Sequence, residues 1–174
     1  VSSSGSFDLP TDWYNWSPTC KHDKMFEYLS AFIGDDSPGL KLFSMWGHSF
    51  EFNALIGSEW TQIDGGWNAI KDFAAEIAKH NIWKATNIQI HDYTEASKRL
   101  EINDRYVYNP SAIDLYVKVN GVQRIVKSGE KITAAVYSED SADYEILYPG
   151  FIKKALVMSY DDGNTSDERL VKIF

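Results

Sequence analysis

Two short apolar runs in this chain end in residues that can move protons. Residues 40–46, Leu-Lys-Leu-Phe-Ser-Met-Trp, lead into Gly47, His48 and Ser49, and residues 153–160, Lys-Lys-Ala-Leu-Val-Met-Ser-Tyr, lead into Asp161, Asp162 and Gly163. Imidazole exchanges a proton near neutral pH. Two adjacent carboxylates repel one another unless a cation lies beside them, so such a pair suits a division of labour in which one acid binds a metal and the other takes a proton. Gly163 allows the sharp turn needed to aim both inward. Plainer readings stand beside these. The acidic stretch 161–167 also fits a turn that caps a helix, and His48, between Trp46 and Phe50, also fits a packed, hydrogen-bonded residue. Glu51 is near enough in sequence to orient the ring.

These groups act together only if both runs are strands of one parallel sheet, because ligands in parallel α/β sheets and barrels bind where the carboxyl ends of the strands converge. The runs have the right character, being short, apolar and without clean alternation, as in strands buried on both faces. Elsewhere, Met25, Phe26, Leu29, Phe32 and Ile33 recur at helical spacing after Asp23, a candidate N-cap, and Gly34 follows them. A second helix is expected from Trp67 to Ala78, after Gly65 and Gly66. Residues 81–90 read as a strand and 92–100 as a helix. Alternation of Ile113, Leu115, Val117 and Val119 up to Asn120-Gly121 predicts an antiparallel hairpin within 111–137. The fold class expected is α/β with an antiparallel β-rich segment.

The chain has 174 residues and a formal net charge of -8. An acidic balance disfavours nucleic acid and anionic membrane surfaces as partners, and no apolar stretch reaches the roughly 18 residues of a spanning helix. Cys20 is the only cysteine, which excludes an internal disulfide and leaves either a bystander or a metal ligand or nucleophile. His22, His80 and His91 lack metal-ligand spacing, and nucleophile-elbow and phosphate-loop motifs are absent. Trp13, Tyr14 and Trp16 crowd one loop. They fit a stacking wall for sugar rings or a tethered loop whose rings fill the core.

Residues 153–174 resemble the first motif of the polysaccharide deacetylase family (the NodB-like homology domain), and Leu-Phe-Ser-Met-Trp-Gly-His-Ser-Phe-Glu-Phe, 42–52, resembles the last motif of one branch of it. Residues 7–23, 82–93 and 108–117 are also similar to segments of that branch. The resemblance implies metal-dependent removal of acetyl groups from an N-acetylated polysaccharide on a distorted (β/α) barrel, with the activity incomplete in this chain alone. It makes Asp161 the general base, His48 the general acid and Asp162 a ligand of a divalent metal, usually zinc. Trp16, or else Trp13, stands near the substrate's acetyl pocket. Extracytoplasmic work is what the family suggests.

The order of the motifs departs from the family's. The Asp-Asp motif follows the His strand instead of preceding it, and the family's metal-binding histidine pair and Arg-Pro motif have no counterpart here. A full barrel takes about 250 residues, so the expectation is a partial, distorted barrel in permuted order. Residues 1–104 are its C-terminal half, 105–147 a β-rich segment, and 148–174 its first strand and helix. Three origins remain open: a truncated permutant, a piece of a longer protein, or one chain that needs a second chain or copy. A non-catalytic carbohydrate-binding or structural module derived from the same fold is the alternative function.

Overall fold

The computed structural model describes residues 2–53, 65–103, 105–133, 143–161, 163 and 167–174. It is a mixed α/β protein, and the strands among the described residues form one four-stranded sheet with parallel pairing and two antiparallel three-stranded sheets. Two compact units are present: Val1–Asp36 with Leu42–Ile82 and Leu156–Phe174, and Ser37–Lys41 with Trp83–Ala155.

The four-stranded sheet is built from β1 (Cys20–Lys21), β2 (Lys41–Gly47), β3 (Ile82–Lys84) and β10 (Lys154–Tyr160), in the order β1-β2-β10-β3. In β2 all residues but Trp46 are buried, as expected of a strand covered on both faces. The first unit's core brings Phe43 and Met45 of β2 and Leu156 of β10 together with two amphipathic helices. These are α1 (Met25–Gly34), contributing Met25, Leu29 and Phe32, and α2 (Gly65–Ile77), contributing Trp67, Ile70, Phe73 and Ile77. Lys24, not Asp23, precedes α1 and makes no side-chain cap, because a 3-10 turn over His22–Lys24 already leads into the helix. Phe26 is half exposed, although helical spacing puts it near the buried stripe. Gly65 and Gly66 lie inside α2. A Cβ on Gly66 would sit 2.7 Å from the Phe52 Cα, so glycine is required there by close backbone approach.

In the second unit, α3 (Asn87–Ser97) begins five residues earlier than the sequence pattern suggests. Thr86 and Gln89 form a reciprocal capping box that starts the helix, and the strand before it is correspondingly short. Beyond α3 come β4 (Glu101–Ile102), β5 (Tyr106–Tyr108), β6 (Leu115–Val119), β7 (Val122–Val126), β8 (Lys131–Thr133) and β9 (Tyr144–Leu147). The hairpin between β6 and β7 pairs Val119 with Val122. Asn120 (φ 48°) and Gly121 (φ 80°) both take positive φ, as a type I′ turn demands. The end of the expected 111–137 segment lies outside the described residues.

Tyr93 fastens this unit together. Its buried hydroxyl donates to the Leu147 carbonyl and accepts the Tyr116 N–H at 2.9 Å, and its ring packs on Trp83 and Tyr148. Tyr93→Phe strands two backbone groups with little change in shape. A loss of about 1–3 kcal/mol is expected from denaturant titration.

Candidate functional site

His48 and Asp161 come to the same end of one sheet. The Lys41 N–H donates to the Lys153 carbonyl (2.9 Å) where β2 and β10 begin, and the Asp161 N–H donates to the Gly47 carbonyl (3.2 Å) where they end. Start meets start and end meets end, so these neighbouring strands run parallel. The residues just beyond their carboxyl ends, His48 and Asp161, are therefore side by side, at the position where parallel sheets place ligands. Asp161 is exposed and His48 partly buried. Gly163 takes φ 54°, consistent with a tight turn after the acids. Asp162 lies outside the described residues.

His48 is oriented by local chain geometry. It precedes a 3-10 helix, Ser49–Asn53, in which residues three apart eclipse one another. The Glu51 carboxylate consequently reaches back to the His48 N–H (3.2 Å) and lies a long 3.4 Å from His48 Nδ1, an arrangement like a capping box. With the proton on Nδ1 shared with Glu51, exchange with a substrate would use Nε2.

Glu51 also gathers residues from β1 and the turn after it. Lys21 Nζ stands 2.5 Å from Glu51 Oε1, and His22 Nε2 stands 3.0 Å from Oε2. Burial raises the Glu51 carboxyl, but the Lys21 hydrogen bond and the His48 N–H outweigh it and hold the group below the usual carboxylate range. Lys21 additionally lies 5.7 Å above the Trp46 ring. His22 is fully buried between Phe52 and Tyr160, and that burial pushes its pKa down to about 4 against the pull of Glu51. It is a neutral imidazole at pH 7.

Gly47 is what permits the His22 ring to lie where it does. A Cβ on Gly47 would meet His22 Nδ1 at 2.2 Å and Cε1 at 2.5 Å, and a fully buried ring has no room to retreat. Gly47→Ala should therefore destabilise the protein by about 1–3 kcal/mol, the ordinary cost of overpacking. Chemical denaturation of the two proteins checks this, and an unchanged midpoint would contradict the packing.

The aromatic loop does not fill the core. Tyr14 is wholly exposed, and Trp13 and Trp16, both half-buried, pack edge to face at 5.8 Å outside the core cluster. Trp16 lines a cavity of about 250 Å³ together with Pro10, Leu42, Asn15, Asp8 and Asp12. Most of the remaining lining residues are Ser and Thr. His48, Glu51 and Asp161 are not among its lining residues.

Cys20 is buried, and burial pushes its thiol up to about 12, so it is no thiolate nucleophile at neutral pH. Among the described residues no group of three or more His, Cys, Asp or Glu could hold a metal ion. His22 and His48 each turn a ring nitrogen toward the same Glu51 oxygen, which pairs them with a carboxylate instead of converging them on a cation. The described residues thus do not fit a zinc cage of their own. Lys21, His22 and Glu51 were not recognisable as a group in the sequence. The one available signal is the three-residue spacing from His48 to Glu51; pairing of β1 with β2, Lys21 opposite Trp46, supplies the rest. No helix among the described residues is long and apolar enough to cross a membrane. Compared with known proteins, the chain matches no family model, no curated protein and no solved structure.

Proposed function

We propose that this chain carries the acid and the base of a hydrolase that removes acetyl groups from an N-acetylated polysaccharide, on a partial, distorted (β/α) barrel of the polysaccharide deacetylase type. The supporting observation is the meeting of His48 and Asp161 beyond the carboxyl ends of adjacent parallel strands. In this reading Asp161 takes a proton from water as the water oxygen attacks the acetyl carbonyl carbon. The C–N bond then breaks, and His48 gives a proton to the departing amine, so that acetate and a free amino sugar result. Glu51 keeps the His48 ring in place. A divalent metal would be held in part by Asp162 and, when bound, would polarise the acetyl carbonyl.

The test is acetate release from N-acetylglucosamine oligomers by the zinc-supplied chain and by its Asp161→Asn variant. Release that depends on Asp161 is the expected result; no release, or equal release by both proteins, overturns the reading. A second reading, a carbohydrate-binding module without chemistry, is favoured by the Trp16 cavity, which stands apart from the proton-transfer residues in its lining.

A further inference from the structure

We propose that Lys21 is a positioning residue for His48, acting through the Glu51 carboxylate. The inference rests on the acid role given to His48 above and adds a residue to it.

Glu51 serves groups on both of its oxygens. Oε2 accepts the His48 N–H at 3.2 Å and lies 3.4 Å from His48 Nδ1 and 3.0 Å from His22 Nε2, while Oε1 meets Lys21 Nζ at 2.5 Å. The last torsion of a glutamate is broad and only weakly fixed by its own rotamers. A carboxylate held at one oxygen can therefore swing, whereas one held at both keeps its plane. The Lys21 contact is the shortest of the four and joins two full charges, the stronger kind of hydrogen bond. The two side chains are 31% and 23% exposed, so solvent and salt screen the pair less than at an open surface.

Lys21 is itself located by the sheet. In the parallel pairing of β1 with β2 it stands opposite Trp46, and its ammonium lies 5.7 Å from the centre of the Trp46 ring, within reach of a cation–π attraction. That ring in turn meets the His48 imidazole edge to face, at 6.0 Å and 78°. Lys21, Glu51, His48 and Trp46 thus close a circuit of contacts around the imidazole. Its chemical consequence concerns protons. After His48 gives one from Nε2 it must keep the other on Nδ1, the tautomer that Glu51 favours. A permanent ammonium beside Glu51 balances the carboxylate charge. Glu51 can then orient the ring without needing His48 as its counter-ion, and the Nε2 proton stays available to the leaving amine.

Long-range proton–nitrogen correlation spectra of the full chain, labelled with nitrogen-15 histidine and recorded at pH 8, test the proposal; His48 signals are identified by their loss in His48→Gln. The neutral His48 ring should carry its proton on Nδ1 in the wild type. Lys21→Met, which keeps the stem and removes the charge, should shift the tautomer ratio about tenfold towards Nε2–H, the effect of about one charge-assisted hydrogen bond. Lys21→Arg should preserve the wild-type ratio. Acetate release from N-acetylglucosamine oligomers by the zinc-supplied chain should show kcat lowered about tenfold in Lys21→Met with KM within about twofold, and most of it restored in Lys21→Arg. Lys21→Gln serves as a second neutral variant, and urea midpoints establish that each protein is folded. An unmoved tautomer in the folded Lys21→Met and Lys21→Gln proteins overturns the proposal, as does a shift just as large in Lys21→Arg. Because the spectrum is read without turnover, absence of acetate release removes the hydrolytic reading, whereas an unmoved tautomer removes this one.

Discussion

Replacing Asp161 by Asn is expected to lower acetate release from an N-acetylated glycan by roughly 10²–10⁴-fold, the usual contribution of a positioned general base. Asparagine nearly matches aspartate in shape but cannot take a proton from water. The variant is informative because the anchor of this residue is main chain: the Asp161 N–H to Gly47 carbonyl bond survives any change of side chain. The side chain itself is exposed, so stability should move by no more than about 0.5 kcal/mol. Thermal unfolding measured beside the assay then distinguishes lost chemistry from lost structure. If activity falls only in proportion to a fall in folded protein, Asp161 is not the base.

Acid is expected to weaken the fold well before most carboxylates are neutralised. His22 has a folded-state pKa of about 4 against an ordinary 6.5, so between those values the unfolded chain binds a proton that the folded chain refuses. Stability therefore falls as pH drops from 6.5 towards 4 and is unaffected by this group above 6.5. The full effect is on the order of 3 kcal/mol, reached near pH 4. Glu51 works in the same direction at the lower end: its depressed carboxyl contributes stability that is lost as pH falls through its folded value. Urea titrations at pH 7.0, 5.5 and 4.5 measure the slope, and His22→Gln should flatten it by removing the titrating ring while retaining a polar group near Glu51. A wild-type slope of zero across this window would mean that the ring is protonated in the folded state, with Glu51 overcoming burial.

The two effects share one cause, the joining of β1, β2 and β10 at their carboxyl ends. Gly47 permits the close approach of His22, its carbonyl holds Asp161, and the residue after it is His48. A change at this glycine therefore reaches both the buried ring and the exposed acid, although neither is its neighbour in sequence.

Much of this architecture was legible from residue order because its causes are local. Continuous apolar runs identified β2 and β10, the 3.6-residue spacing of apolar side chains identified α1 and α2, and Asn120-Gly121 identified the β6–β7 turn through its positive φ values. Local chemistry was also where the reading slipped. The capping box at Thr86 and Gln89 starts α3 ahead of its apolar pattern, and the 3-10 turn at His22–Lys24 takes over the role expected of an Asp23 cap. What only the tertiary structure decided is long-range: the parallel pairing that joins His48 to Asp161, the Glu51 carboxylate shared by Lys21 and His22, and a Trp16 that lines a Ser- and Thr-rich cavity outside the core cluster. Periodicity reports which face of an element is apolar. Strand partners are chosen by the packing of whole faces against one another, and that choice brings together side chains whose separation along the chain carries no trace of it.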